Sequence, residues 1–320
     1  MSFLAINEIT KIEQGRTIVQ SISFKQEKLQ RIGIAGETGS GKSTLLKMIA
    51  GLIQPDGGEV FFNQEKVLGP LDQLLPGHPK IGYLSQHFEL RNNYRVEELL
   101  AMSNRLSEED AAVVYSICQI DHLMKRKNDE ISGGEKQRIA LAKLLITAPF
   151  LLFLDEPFSN LDRVHKQIIQ SVIDDICTQL KITCILVSHD ATDLLYWADR
   201  LLIMKDGKII QDGSPKQLYF HPANEYVAAL LGEYNLVDTG LHPAFEQLFG
   251  EGVNGKKAMV RPEQFSINKD GVGLTGIVKR VLFFGSYYII EVLSDGLIIK
   301  VRTAAFQFYT GDKVFIQLST

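Results

Sequence analysis

The sequence has few of the features that mark secreted or membrane-spanning proteins. It contains three cysteines in 320 residues, and Cys118, Cys177 and Cys184 have no metal-ligand spacing and cannot all pair with one another. This favours reduced, buried thiols and a cytosolic setting. No apolar run reaches the length that spans a bilayer, and the amino terminus lacks the basic and apolar regions of a signal peptide. If the chain acts at a membrane, we expect another chain to cross it.

The sequence also lacks a strong charge of either sign. Its net charge of −4 offers no general attraction to nucleic acid or to anionic lipid. Hydrophobic residues make up 45% and charged residues 22%, which is typical of a globular protein with a substantial core. A chain of 320 residues exceeds one ordinary core, so two domains are expected.

A glycine-rich loop between an apolar strand and a helix is the most specific motif. It matches Gly-x-x-x-x-Gly-Lys-[Ser/Thr] and reads Gly36, Glu37, Thr38, Gly39, Ser40, Gly41, Lys42, Ser43 and Thr44. Its backbone N–H groups and the helix dipole favour a polyphosphate. Lys42 suits the β and γ phosphates, and the Ser43 hydroxyl suits Mg²⁺.

A second glycine pair opens another predicted helix. Ser132 and Glu135 form a capping box, and Gly133 and Gly134 lie in the first turn. Two glycines there cost about 1 kcal/mol each relative to alanine. We interpret this as a second helix end that a phosphate can approach closely.

Polar residues follow three predicted strands at the edge where open α/β sheets bind ligands. Gln86 follows the first strand, Asp155 and Glu156 follow the second, and His189 follows the third. Asp155 is predicted to hold Mg²⁺ through water, and Glu156 to polarise the attacking water. His189 can bond either a γ-phosphate oxygen or that water. Asp162 is predicted to cap the next helix.

Helical periodicity between residues 92 and 128 interrupts the strand-helix alternation and predicts an inserted helical subdomain. After residue 231 short strands dominate and predict a small β-barrel. Residues 232–320 carry nine basic and nine acidic side chains, net 9 − 9 = 0, which disfavours oligonucleotide binding. We expect the aromatic residues Phe283, Phe284, Tyr287 and Tyr288 to form the barrel core.

On these motifs the chain resembles the ATP-binding cassette (ABC) ATPases over residues 3 to about 230. The glycine-rich loop is similar to the family's Walker A motif, Gln86 to its Q-loop and residues 131–137 to its signature. Asp155 and Glu156 resemble the Walker B aspartate and the catalytic glutamate. Residues 159–162, ending at Asp162, resemble the D-loop, and His189 resembles the switch histidine. Residues 260–263 and the strands that follow resemble the transport-associated OB-like (TOBE) domain of importer ATPases.

The resemblance implies a P-loop NTPase α/β fold at residues 1–231, with the helical subdomain at about 87–131 and the barrel at 232–320. It implies ATP hydrolysis with Glu156, His189 and Gln86, and Mg²⁺ held by Ser43, Gln86 and Asp155. Two copies would pair head to tail, so that each ATP lies between the phosphate loop of one chain and Ser132, Gly133, Gly134 and Glu135 of the other. The Asp162 loop would also lie against ATP.

The implied function is the ATPase subunit of an importer, peripheral on the cytoplasmic face and bound to separate membrane permease subunits. No nucleic-acid partner is expected. Three alternatives remain: an exporter ATPase, a soluble ABC ATPase acting on nucleic acid or ribosomes, and a module that binds ATP without turnover. One departure is notable, because Ile12, Glu13 and Gln14 stand where the family usually has an adenine-stacking aromatic. The sequence does not name the transported substrate.

Overall fold

The computed structural model describes residues 2–86, 90, 93–159, 161–238 and 257–319. Its contacts divide the chain into two compact units, Met1–Pro215 and Lys216–Thr320. The predicted domain boundary lies after residue 231, whereas the contacts group the helical segment before it with the second unit. The physical reason is local: this segment packs against a buried arginine of the second unit, as described below.

A six-stranded sheet forms the centre of the first unit, in the order β10-β9-β3-β8-β7-β6. The strands are β3 (Ile32–Ala35), β6 (Ile81–Leu84), β7 (Leu151–Asp155), β8 (Thr183–Ser188), β9 (Arg200–Lys205) and β10 (Lys208–Gly213). All neighbours are parallel except β9 and β10, which form a hairpin. Every residue of β7 and β8 is buried, as expected of continuous apolar runs covered on both faces. The predicted parallel core is confirmed.

An antiparallel sheet in the order β2-β1-β4-β5 covers this core. Its strands are β1 (Leu4–Glu13), β2 (Arg16–Gln26), β4 (Gly57–Phe62) and β5 (Glu65–Lys66). The first two form the hairpin that the alternating pattern predicts. Apolar side chains of this sheet, including Leu4, Ile9 and Val19, share one cluster with β3 and with the helix that follows it. The hairpin therefore fixes the strand that precedes the glycine-rich loop.

Six helices lie in the described part of the first unit. They are α1 (Lys42–Ile49), α2 (Val96–Ala101), α3 (Glu108–Ile117), α4 (Gly133–Leu145), α5 (Arg163–Thr178) and α6 (Thr192–Leu195), with 3-10 turns at Asp121–Leu123 and Asn128–Glu130. The predicted helical insertion consists of α2, α3 and these turns, and the apolar residues on one side of each helix, such as Leu99 and Val114, are buried. Residues 87–89, 91, 92 and 160 lie outside the described residues. The cysteines are free, and Cys177 is half-buried rather than fully buried.

The second unit combines two helices, α7 (Pro215–Phe220) and α8 (Glu225–Leu231), with two antiparallel sheets. Strands β11 (Asn235–Asp238) and β12 (Lys257–Val260) pair with each other. The larger sheet has the order β13-β17-β14-β15-β16, with β13 (Phe265–Asn268), β14 (Leu274–Phe283), β15 (Tyr288–Ser294), β16 (Leu297–Thr303) and β17 (Lys313–Leu318). Its edge strands β13 and β16 also contact each other, as in the predicted OB-like barrel. Strands β11, β12 and β13 were not predicted.

The aromatic residues expected in the barrel core are not buried there. Phe283 is 66% and Phe284 51% exposed, and Tyr287 and Tyr288 are half-buried. These residues lie at the end of β14 and the start of β15, where the hairpin turn extends past the core. Branched aliphatic residues fill the core instead, among them Val278, Ile290, Val292, Val301, Val314 and Ile316. The prediction is therefore wrong for Phe283 and Phe284, whereas Tyr288 packs against the core, which also contains the aromatic residues Phe265 and Phe308.

Candidate functional site

The glycine-rich loop lies between β3 and α1, at the carboxyl edge of the central sheet. Gly39 and Gly41 have φ values of 87° and 96°, which residues with a Cβ rarely adopt. A Cβ on Gly41 would also lie 2.5 Å from the carbonyl oxygen of Ile18, and one on Gly36 would lie 2.3 Å from that of Met204. Conformation and close packing thus both require glycine in this loop.

Lys42 is buried beneath the loop at the first position of α1. Its side chain is 5% exposed, and Nζ donates to the carbonyl oxygens of Gly36 at 2.7 Å and Glu37 at 2.8 Å. Burial lowers the pKa of Lys42, while the carboxylates of Glu156, Asp155 and Glu37 oppose that shift. The loop therefore holds a cation on its inner side, where a phosphate needs one.

Asp155 ends β7 with both of its carboxylate oxygens engaged. The Ser43 hydroxyl donates to Oδ1 at 3.0 Å, and the Tyr83 hydroxyl donates to Oδ2 at 2.7 Å. Burial and the nearby carboxylate raise the pKa of Tyr83 far above its usual value, so this hydroxyl stays protonated. A hydroxyl and a carboxylate side by side are the hard oxygen donors that Mg²⁺ prefers, so the residues fit that ion. Tyr83 was not predicted as a site residue, because its contact depends on the pairing of β6 with β7.

Glu156 follows Asp155 in a conformation that few side chains adopt. Its φ is 52°, and its N–H donates to the Val187 carbonyl oxygen at 3.0 Å. The side chain is 13% exposed, and Oε2 lies 2.5 Å from Nδ1 of His189, which is 55% exposed. Such backbone strain persists only where the surroundings enforce it. The predicted catalytic pair is therefore brought into direct contact.

A small cavity of about 120 Å³ adjoins this pair. Its wall includes Lys166, whose Nζ lies 2.5 Å from Asp193 and 3.9 Å from Asp190. Burial raises the pKa of Asp193 despite the nearby ammonium. These charged residues come from α5, from α6 and from the loop before α6. Nothing in their local sequence connects them with Glu156, so sequence reasoning missed them.

The amino end of α4 carries the predicted capping box. The Ser132 hydroxyl accepts from the Glu135 N–H at 3.4 Å, and Glu135 Oε2 accepts from the Ser132 N–H at 2.9 Å. The bond from the Ser132 N–H lowers the pKa of Glu135. Among the described residues, Ser132 bonds only within its own helix. The exposed face of this helix end is therefore left available.

The two glycines of this helix end have different surroundings. A Cβ on Gly133 would meet no atom within 4 Å, whereas one on Gly134 would lie 2.7 Å from Cδ2 of His165. Packing within the chain thus explains Gly134, and only Gly133 faces open space. The sequence analysis attributed both glycines to a ligand, and the structure gives Gly134 a second reason.

His165 also fixes Asp162, the predicted cap of α5. The Asp162 side chain accepts from the His165 N–H at 2.9 Å, and its other oxygen lies 2.7 Å from His165 Nδ1. One imidazole therefore contacts the loop before α5 and the amino end of α4. His165 was not singled out from the sequence, because a histidine in the first turn of a helix carries no signal by itself.

Two glutamines differ in how they are placed. Gln137 of α4 is buried and donates from Nε2 to the Pro157 carbonyl oxygen at 2.5 Å, which joins the signature helix to the segment after Glu156. Gln86, predicted as a metal and catalytic residue, is exposed and makes no hydrogen bond to another described residue.

Of the predicted site residues, the phosphate loop, Asp155, Glu156 and His189 are gathered at one edge. Gln86 and Ser132 form no hydrogen bonds with them.

Comparisons with known proteins agree with this geometry. The ABC transporter family matches residues 19–159, and the TOBE domain family matches residues 258–320. An Fe(3+) ions import ATP-binding protein of Rhodococcus jostii is 30% identical, covering 98% of this chain and 96% of that protein. The chain belongs to the ATP-binding subunits of ABC importers. Its ATPase activity and importer class are thereby confirmed.

Two further comparisons define how far this similarity extends. A glucose import ATP-binding protein of Saccharolobus solfataricus is 32% identical, covering 83% of this chain and 80% of that protein. A solved ATP-binding cassette of an ABC transporter, in its ADP conformation, has a TM-score of 0.60 at 23% identity, covering 72% of this chain and 99% of that one. That likeness shows the fold. Because the relatives are import proteins, the exporter and nucleic-acid alternatives are set aside.

Proposed function

We propose that this subunit hydrolyses ATP in a site that a second copy of the chain completes. The observation that carries this proposal is the contrast at the two phosphate-binding ends. The phosphate loop is joined through hydrogen bonds to Asp155, and Glu156 to His189. At the amino end of α4, Gly133 meets open space among the described residues, and the capping bonds of Ser132 stay within the helix. A head-to-tail dimer would place that end, with Asp162 nearby, against the ATP of the other chain.

In this proposal Lys42 and the loop N–H groups bind the phosphates, and the dipole of α1 adds to their attraction. Ser43 and Asp155 would hold Mg²⁺, with the exposed Gln86 approaching from the adjacent loop. The ion supplies charge neutralisation on the phosphate oxygens. Tyr83 positions Asp155 by occupying one of its oxygens.

Glu156 acts as the base that orients and polarises the attacking water. Its carboxylate is mostly buried, so its charge is poorly screened and acts strongly on a nearby water. His189 Nδ1 lies against Glu156, which leaves Nε2 to bond the γ-phosphate. These intact groups argue against a module that binds ATP without turnover.

The membrane permease would dock at a groove of about 330 Å³ in the first unit. The residues that line it include Leu52, His78 and Tyr83, with Arg105 from the helical insertion and Thr147, which follows α4. Tyr83 also bonds Asp155, so a helix seated in this groove would touch a residue that contacts the site. This contact offers a physical path between docking and catalysis.

The subunit would lie on the cytoplasmic face of the membrane, where ATP is available. None of the described helices has the length and apolar character needed to cross a bilayer. The Rhodococcus relative is named for the import of Fe(3+) ions and the Saccharolobus relative for the import of glucose. Membership of the family therefore does not identify the transported substrate. We propose that cargo recognition lies in other subunits.

The test compares the purified wild type with Glu156→Gln, and uses Glu109→Gln as a control that removes an exposed carboxylate from α3. We expect Glu156→Gln to lower steady-state hydrolysis by about a hundredfold or more while leaving ATP binding intact. Light scattering in ATP should give this variant twice the mass of the 35.9 kDa chain. Wild-type activity in Glu156→Gln would refute the catalytic assignment, and absence of ATP binding would refute the phosphate-loop assignment.

A further inference from the structure

The second unit contains a cavity whose residues play no part in ATP chemistry. It has a volume of about 190 Å³. The six lining residues used below are Tyr219, Glu233, Glu263, Phe284, Tyr287 and Arg302. Sites for drug-sized ligands measure about 300–1,000 Å³, so this cavity suits a smaller molecule, of the size of a metabolite.

One wall of the cavity is an aromatic stack that ends in a guanidinium. The rings of Phe284 and Tyr287 are stacked, with centroids 5.3 Å apart and an interplanar angle of 4°. Arg302 Cζ lies 4.0 Å from the Tyr287 centroid. No described carboxylate lies within 4.0 Å of the Arg302 guanidinium, so its N–H edge has no ionic partner in this part of the chain. A guanidinium stacked on a ring in this way still presents a fork suited to a carboxylate.

The acidic lining residue Glu263 is held in place by its neighbours. The Tyr219 hydroxyl donates to Glu263 at 2.6 Å, and burial raises the pKa of Tyr219 to about 12, so the donor stays protonated. Beneath this ring lies Arg261, which is 1% exposed, with Cζ 4.1 Å from the Tyr219 centroid. Arg261 is itself held by the carbonyl oxygens of Tyr219 and Ala228, both at 2.9 Å. Glu263 is therefore fixed through Tyr219 by a buried guanidinium.

Two carboxylate residues and one arginine thus line the same small cavity without joining one another. Glu233 pairs instead with Lys300 at 3.4 Å, on an exposed surface where such a pair is weak. Arg302 and the two glutamates line one cavity but form no ion pair with one another. Such an arrangement suits a ligand that carries both charges itself. The rings provide apolar area for the rest of that ligand and a face for its cation.

We propose that this cavity binds a free α-amino acid with an apolar side chain. The ammonium lies at Glu233 and Glu263, the carboxylate takes the fork of Arg302, and the side chain packs on the aromatic rings. Each charged end of the ligand makes its own charge-assisted contacts with the cavity, so an analogue that lacks one end binds more weakly.

The test titrates the full-length protein, without nucleotide, with each of the standard amino acids in turn by calorimetry. The tightest binder is then compared with its analogue lacking the amino group and its analogue lacking the carboxylate; for leucine these are isocaproate and isoamylamine. We expect saturable binding of an apolar amino acid and weakening by about tenfold or more for each analogue. An amine or an acid that binds as tightly as the amino acid would overturn the zwitterion assignment.

Variants tie the binding to this cavity. Arg302→Met and Glu263→Gln should each weaken the binding of the amino acid by about tenfold or more. The glutamine of the second variant keeps an acceptor for the Tyr219 hydroxyl. Lys279→Gln removes an exposed cation of β14 outside the cavity and should change nothing. A thermal unfolding midpoint near that of the wild type will show that each variant is folded. Unchanged binding in both cavity variants, or no saturable binding by any amino acid up to about 10 mM, would refute the proposal.

Discussion

The phosphate loop and the amino end of α4 are both built to meet phosphate, but the chain treats them differently. At the loop, Lys42 and Ser43 already bond to their own chain. At the amino end of α4, Gly133 meets nothing, and the capping bonds of Ser132 stay within the helix. The loop glycines are required by the chain's own backbone, whereas Gly133 is not. A residue that the fold does not need is best explained by a ligand or by another chain.

The largest effect is expected from Gly133→Ala. Because the added methyl meets no atom of the described residues and alanine is the better helix former, stability should stay level or rise by about 0.5–1 kcal/mol. Hydrolysis should fall by about a hundredfold, because the methyl would keep the helix end away from ATP. Chemical denaturation measures the change in stability, and an ATPase assay measures the change in hydrolysis. Full ATPase activity in this variant would show that Gly133 is not kept free of a side chain for ATP.

Gly134→Ala should behave in the opposite way. Its Cβ would lie 2.7 Å from the His165 ring, so we expect a loss of about 1–3 kcal/mol in the free energy of unfolding. Adding His165→Ala removes the ring and should recover most of that loss. The comparison is a double-mutant cycle measured by urea denaturation. A double variant no more stable than Gly134→Ala alone would show that the His165 contact is not the cause.

Tyr83→Phe tests the loop side of the comparison. It removes one hydrogen bond to the Asp155 carboxylate while keeping the ring. The concentration of Mg²⁺ that gives half-maximal hydrolysis should shift by several-fold, up to about tenfold. A magnesium titration of the ATPase measures this. Tyr115→Phe, on α3, is the matched control and should not shift.

The smallest effect concerns pH and the capping box. The folded pKa of Glu135 lies below its ordinary value of 4.5, so its carboxylate stabilises the fold above that value. This contribution is lost as pH falls through the lower, folded pKa. Glu135→Gln should cost about 0.5–1 kcal/mol at pH 7 and less at pH 3, because the charge is lost as pH falls through the lowered pKa. Denaturation at both pH values checks this, and an equal cost at both would show that charge is not involved.

The sequence predicts whichever features depend on local patterns. The phosphate loop, the Ser132 capping box, the Asp162 cap and the buried strand before Asp155 all follow from spacing and are all confirmed as local structure. The contact of Glu156 with His189 was expected only to the extent that both follow neighbouring strands. Parallel pairing of β7 and β8 brings them to the same edge.

Other features depend on contacts between distant parts of the chain. Tyr83 contacts Asp155 from the neighbouring strand β6, and His165 of α5 packs on Gly134 of α4. Neither contact is marked by a local sequence pattern. The aromatic residues of the barrel were misplaced because hydrophobicity alone does not reveal that Phe283 and Phe284 lie at a hairpin end. The grouping of α7 and α8 with the second unit was not predicted, because the role of Arg261 is visible only once its carbonyl partners are known.

Mixing two inactive variants tests the shared site most directly. Lys42→Ala disables the phosphate loop and Gly133→Ala disables the helix end, and each chain keeps the half that the other lacks. If the site is shared, random pairing leaves one intact site in half of the dimers, and the mixture should recover about a quarter of wild-type hydrolysis. If the mixture shows only the sum of the two separate activities, each chain contains its whole site and the account is wrong.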